Sequence, residues 1–170
     1  DTHLRQRLIE QLVAQDKIED ALVEYNNLAT QYYNLADLDK ARQTYLDALK
    51  VAQKSSENRT WGVNLLLKVA DIDMQRLNLR QALRIYEQIR TIQPDNRAAR
   101  AQIVGINFRL GQETAALKEL DDYLHILESA GQSQQAIDFV SELLLDDENN
   151  LSLRRRRADL YVHNHQVDEA

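Results

Sequence analysis

The sequence predicts an all-α protein: a right-handed α-solenoid of antiparallel helix hairpins, about nine to ten helices in a single repeat domain over residues 1–170. Three observations predict it. Small residues recur at a fixed interval: Ala82 and Ala116 lie 34 residues apart, as do Ala136 and Ala170, each one turn into an amphipathic stretch that follows a short polar break. A period in the thirties is the signature of stacked helix pairs. Gly 4 and Pro 1 leave little turn chemistry for strands, while Ala, Leu, Gln, Glu, Arg and Lys abound, which is helix-forming composition. Apolar residues recur at i, i+3, i+4 and i+7 almost throughout, and at 44% of the chain they suffice for a continuous core.

The elements follow in order. Leu4, Leu8, Leu12 and Val13 mark a first helix near 2–15, and Ile18, Leu22, Tyr25, Leu28, Ala29, Tyr32 and Leu35 a second near 17–36. Ala36-Asp37-Leu38-Asp39 offers an Asp N-cap, and a third helix runs to about 54. Gln53 to Asn58 is polar without a core residue and reads as a loop. Trp61, Leu65, Leu66, Val69, Ile72 and Met74 carry a fourth helix to about 76. A fifth spans 79–92 and stops before Pro94, which cannot continue it. Pro94-Asp95-Asn96 gives a turn and an N-cap, the sixth helix reaches Leu110, and Gly111 fits a C-cap. A seventh helix near 113–130 ends at Gly131, an eighth covers 133–145, and Asp146 to Asn150 is a loop with capping residues. A ninth runs from about 151 to 164, and Val167-Asp168-Glu169-Ala170 reads as the first turn of a further helix. The missing initiator Met and that abrupt end suggest a piece of a longer repeat protein.

A shorter interval overlays the first. Ala21 to Ala41 and Ala116 to Ala136 are each 20 residues, so one long helix closes one hairpin and opens the next. The hairpins then fall near 2–36, 22–54, 60–94, 97–130, 117–148 and a truncated 151–170. Antiparallel helices approach to about 8–10 Å where side chains are small, so the alanines mark the crossings.

These residues resemble the tetratricopeptide repeat (TPR) family, whose pattern sets bulky then small residues in one helix, and small, aromatic and small residues followed by Pro in the next. Tyr25, Leu28, Ala29, Tyr32, Ala41, Tyr45 and Ala48 fit it, as do Leu66, Val69, Ala70, Ala82, Tyr86 and Pro94, then Ile103, Gly111, Ala116 and Leu120. Asp73 stands where an aromatic is usual, and Arg100, Arg154 and Arg157 where apolar residues are. The resemblance implies a concave groove lined by the first helix of each pair. By position its residues are Asn26, Thr30, Tyr33 and Asn34; then Asn64, Leu67, Asp71, Met74 and Gln75; then Ala98, Ala101, Gly105, Phe108 and Arg109. Leu67, Met74 and Phe108 are apolar and not needed for the core in this register, Ala101 and Gly105 leave room for a backbone, and Asn26, Asn34 and Gln75 can hydrogen-bond a peptide. The family's carboxylate clamp for chaperone tails needs Lys and Asn at positions that read Asn26 and Thr30, Leu67 and Asp71, and Ala101 and Gly105, so the clamp is absent.

Other chemistry is sparse. A net charge of −6 disfavours nucleic acid and mildly favours neutral or basic partners. Cys 0 removes disulfides, thiol catalysis and Cys-based zinc sites, and fits a cytoplasmic protein. No apolar run approaches a membrane span and no signal peptide opens the chain. Arg154 to Arg157 fan around a helix, so they make no single patch, and Asp146, Asp147 and Glu148 are near enough to pair with them. Asp121 and His125 share a face but are too few to hold a metal; His163 and His165 point apart, and so do Asp71 and Asp73, which therefore make no acid–base pair. No phosphate loop, nucleophile elbow or cofactor motif is present. The expectation is a non-catalytic scaffold without cofactor or metal that binds a peptide or helix of a partner protein. The alternative is a regulatory, sensor or self-association module of a larger protein, joining through exposed terminal repeats.

Overall fold

The polar breaks become caps and tight turns. This computed structural model describes residues 2–54 and 56–168, and among them there are nine α-helices and no strand. The helices are α1 (Thr2–Ala14), α2 (Ile18–Asn34), α3 (Leu38–Ala52), α4 (Arg59–Gln75), α5 (Leu79–Ile92), α6 (Arg97–Arg109), α7 (Glu113–Ser129), α8 (Ser133–Asp146) and α9 (Leu151–Asp168). Asp37 accepts a hydrogen bond from the Lys40 N–H at 3.2 Å, Asn96 from Ala99 at 2.9 Å and Asn150 from Leu153 at 3.0 Å, each satisfying a donor that a helix start leaves open.

The turns after α1, α2, α4, α6 and α7 share one geometry. A left-handed residue, Asp16, Ala36, Leu77, Gly111 or Gly131, follows the last helical turn. Two backbone bonds close it; after α6 the Gly111 N–H reaches the Phe108 carbonyl at 3.0 Å and the Gln112 N–H reaches Asn107 at 2.8 Å. Glycine takes that φ freely, whereas Leu77 holds it at 58° with its side chain largely in solvent. Non-glycine residues lose roughly 1–2 kcal/mol there. Leu77→Gly is therefore expected to stabilise the protein by up to about 1 kcal/mol, once glycine's larger unfolded-state entropy is counted. A higher urea midpoint at unchanged slope is the readout.

The chain divides into two compact units, Asp1–Pro94 and Asp95–Ala170. In the first, α2 packs against both α1 and α3, α3 against α4, and α4 against α5. α2 is thus shared by two neighbouring helix pairs. Ala21, Ala41 and Ala82 are completely buried, and Leu22, Leu65, Leu66, Val69, Ile72 and Ile89 fill the spaces between helices. In the second unit α7 packs against α6 and α8, and α8 against α9; Ala116 and Ala136 are again completely buried, beside Leu120, Phe139 and Leu153.

Two of the polar residues at apolar positions, Asp73 and Arg100, are buried and paired. Asp73, with no exposed surface, takes both oxygens to the Arg42 guanidinium on α3, at 2.7 and 2.9 Å. Arg100 on α6 donates to Glu119 on α7 at 2.9 Å, and both are buried. Asp71 and Asp73 do diverge: the first is exposed and the second is sealed against Arg42.

Four expectations need correction. The break before residue 167 is absent, since α9 continues to Asp168; His163-Asn164-His165 contains no Gly or Pro to end a helix. Ala170, offered as a crossing alanine, lies outside the described residues. The segment 53–58 is not all loop, because Ser56–Asn58 forms a 3-10 turn that leads into α4. In α1 the buried residue is Ile9, while Leu4 and Leu8 are exposed. The acidic loop 146–148 does not supply carboxylates to the arginine run either. Arg156 pairs in a fork with Asp121 on α7 at 2.7 and 2.9 Å, and Arg154 donates to the Glu148 backbone carbonyl at 2.7 Å. Two of the four arginines are thereby held by their own unit, and Asp121 is tied to a cation rather than aimed with His125 at a metal. Among the described residues no helix is long and apolar enough to cross a membrane.

Candidate functional site

Within the first unit, α2 and α4 lie on either side of α3, and their facing rows of side chains leave a cleft of ≈ 290 Å³. Thr30, Tyr33 and Asn34 come from α2; Lys68, Asp71, Ile72 and Gln75 from α4; Tyr45 rises from α3. The helical period explains the set. Residues 30, 33 and 34 recur at i, i+3 and i+4, as do 68, 71, 72 and 75, so each row occupies one stripe. Ile72 and the Tyr45 ring are buried and form the floor. The Tyr45 hydroxyl lies 3.4 Å from Thr30 Oγ1, and the Gln75 amide donates to the Tyr33 hydroxyl at 2.6 Å across the two helices.

A second, shallower hollow between α1 and α2 is lined by Arg5, Asn27, Thr30, Gln31, Asn34 and Leu35. Thr30 and Asn34 border both hollows. Arg5 is held at its edge by Glu24 at 2.7 Å. Loss of water pushes the Asp71 carboxyl above its ordinary range, and Lys68 opposes that rise. Burial, with a smaller contribution from Asp71, pushes the Tyr86 phenol on α5 up to about 12, so it stays a neutral hydrogen-bonding group at physiological pH.

Of the groove residues that the repeat resemblance implies, Thr30, Tyr33, Asn34, Asp71 and Gln75 line this one cleft. Asn26, Asn64, Leu67 and Met74 do not line the cleft; Leu67 and Met74 are half-buried. In the second unit Ala101 and Phe108 are half-buried against the core of α7 and α8, so Phe108 contributes to packing. Gly105 faces open space, where an added Cβ would meet nothing within 4 Å, and Arg109 is exposed. Among the described residues no group of three or more His, Asp or Glu is placed to hold a metal ion.

The family model described as soluble NSF attachment protein, SNAP, matches residues 2–144. The chain belongs to this family. No curated protein matches it. Its fold is similar to that of BtubC (BKLC) from P. vanneervenii, with a TM-score of 0.61 and 15% identity over 94% of this chain and 71% of that one. It is also similar to a tetratricopeptide repeat protein from Parabacteroides merdae (TM-score 0.51, 16% identity, 95% and 72% covered) and to MamA protein (TM-score 0.51, 16% identity, 87% and 85% covered). The likeness shows the fold, an all-α solenoid of TPR-type hairpins, as the alanine spacing predicts.

Three lining residues lie outside the set read from sequence: Lys68, Tyr45 and Ile72. Lys68 is the i−3 neighbour of Asp71, so extending the stripe by one turn would have found it. Tyr45 fits the repeat pattern at its aromatic position; its ring is buried, while its hydroxyl reaches Thr30 at the cleft.

Proposed function

We propose that this chain is a non-catalytic protein-interaction scaffold, and that the α2–α4 cleft receives a peptide or helix of a partner protein. The observation that carries this reading is the arrangement of Thr30, Tyr33, Asn34 and Gln75 around a floor of Tyr45 and Ile72. Neutral donors and acceptors at the walls match the amide groups of a polypeptide, and the apolar floor accepts a side chain. A family described as an attachment protein is in keeping with a binding role.

Selection of a displayed library of random dodecamer peptides against the whole chain is expected to enrich binders. The double variant Tyr33→Ala, Gln75→Ala should bind a synthetic copy of the leading peptide about tenfold more weakly, the loss of one good hydrogen-bonded anchor. Leu77→Gly, which lies outside the cleft, should bind as the parent does. A library that enriches nothing, or binders indifferent to the double variant, would sink the reading. Concentration-dependent dimerisation that survives the double variant would favour self-association instead.

A further inference from the structure

We propose that the α2–α4 cleft selects partner segments carrying a basic side chain, a lysine ammonium or an arginine guanidinium, with Asp71 as its counter-charge; this rests on the cleft's being the peptide site. Three other carboxylates of the first unit, all on or beside its packed helices, are engaged by cations of a neighbouring helix or its cap: Asp73 by Arg42, Asp39 by Arg76 and Glu24 by Arg5. Asp71 lines the cleft, and among the described residues it makes no hydrogen bond or ion pair. The neighbouring atoms withdraw water from it all the same, which raises its carboxyl's pKa. A carboxylate partly stripped of water, with the Lys68 charge nearby but no hydrogen bond to it, gains when an arriving cation adds a charge-assisted hydrogen bond.

The rest of the cleft suits the same occupant. Thr30, Asn34 and Gln75 offer oxygen acceptors for the remaining N–H donors, and Ile72 with the Tyr45 ring gives an apolar floor for the aliphatic stem. Lys68, three residues before Asp71, shares the cleft, but an exposed i, i+3 pair is weak and gives way to a better-placed cation. The net charge of −6 favours the approach of basic segments.

The test is the library selection read residue by residue. Leading peptides are expected to share Lys or Arg at one fixed place. Asp71→Asn should bind a synthetic copy about tenfold or more weakly, and Asp71→Lys should move the selection to Asp or Glu at that place. Asp71 is exposed and unpaired, so both variants should keep the parent's helical circular dichroism and melting. Peptides with no shared basic residue, or unchanged affinity in Asp71→Asn, would overturn the proposal while leaving the cleft as a peptide site. A selection that yields no binder overturns both.

Discussion

Replacing Arg42 with methionine is expected to destabilise the protein by about 3–5 kcal/mol, because it leaves a buried carboxylate without its partner. Asp73 has no exposed surface, and both of its oxygens are committed to Arg42. Methionine keeps most of the arginine stem's packing, so the loss isolates the charge. The reciprocal change, Asp73→Leu, should cost less, since Arg42 is 24% exposed and its flexible stem can carry the guanidinium to water. Combining the two should recover much of the loss, because buried ion pairs replaced by apolar residues of similar volume are often neutral or stabilising. Urea unfolding of the parent, both single variants and the double variant measures this as one cycle. A loss under about 1 kcal/mol in Arg42→Met would show that Asp73 finds water or another donor.

The pair also marks where sequence reasoning stops. The starts of α3, α6 and α9 were legible because Asp37, Asn96 and Asn150 announce caps through side-chain chemistry that acts within a few residues. The crossings were legible because Ala21 and Ala41, Ala116 and Ala136, and Ala82 and Ala116 repeat a steric requirement at recurring intervals of 20 and 34 residues. Part of the α2 and α4 rows, Thr30, Tyr33, Asn34, Asp71 and Gln75, coincides with positions that the repeat resemblance implies, whereas the helical period shows only that each row shares one stripe. What was not legible depended on contact between helices. Asp73 and Arg100 stood out as polar residues at apolar positions, but their partners Arg42 and Glu119 are far along the chain, and nothing local names them. The left-handed turns at Ala36 and Leu77 were hidden as well, because neither residue is glycine and the tertiary packing of the flanking helices sets the φ. Gly111 and Gly131 make the same turn and were read correctly as helix ends. Phe108 was assigned to a groove on register, and the core of the second unit claims part of it because α6 turns that face toward α7 and α8.

Phe139→Ala is expected to cost about 3–5 kcal/mol, the range for truncating a large buried aromatic. Phe139 has no exposed surface, and its ring meets Tyr123 edge to face at 4.7 Å between centroids and 74° between planes. The Arg97 guanidinium sits over it at 5.3 Å and is held there by Glu142 at 2.8 Å; Arg100 stands 5.7 Å over the Tyr123 ring. The ring pair contributes about 0.5–1.5 kcal/mol and a cation–π contact at most about 2, so the void left among Val104, Leu120 and Val140 is the larger part. Phe139→Leu, which refills most of that volume but keeps no ring, should then lose much less than the alanine variant. If the leucine variant instead falls as far as alanine, the ring's electrostatic contacts outweigh its bulk. Because each hairpin is stabilised through its neighbours, Phe139→Ala should also lower hydrogen-exchange protection along α7 and α8 together, not at position 139 alone.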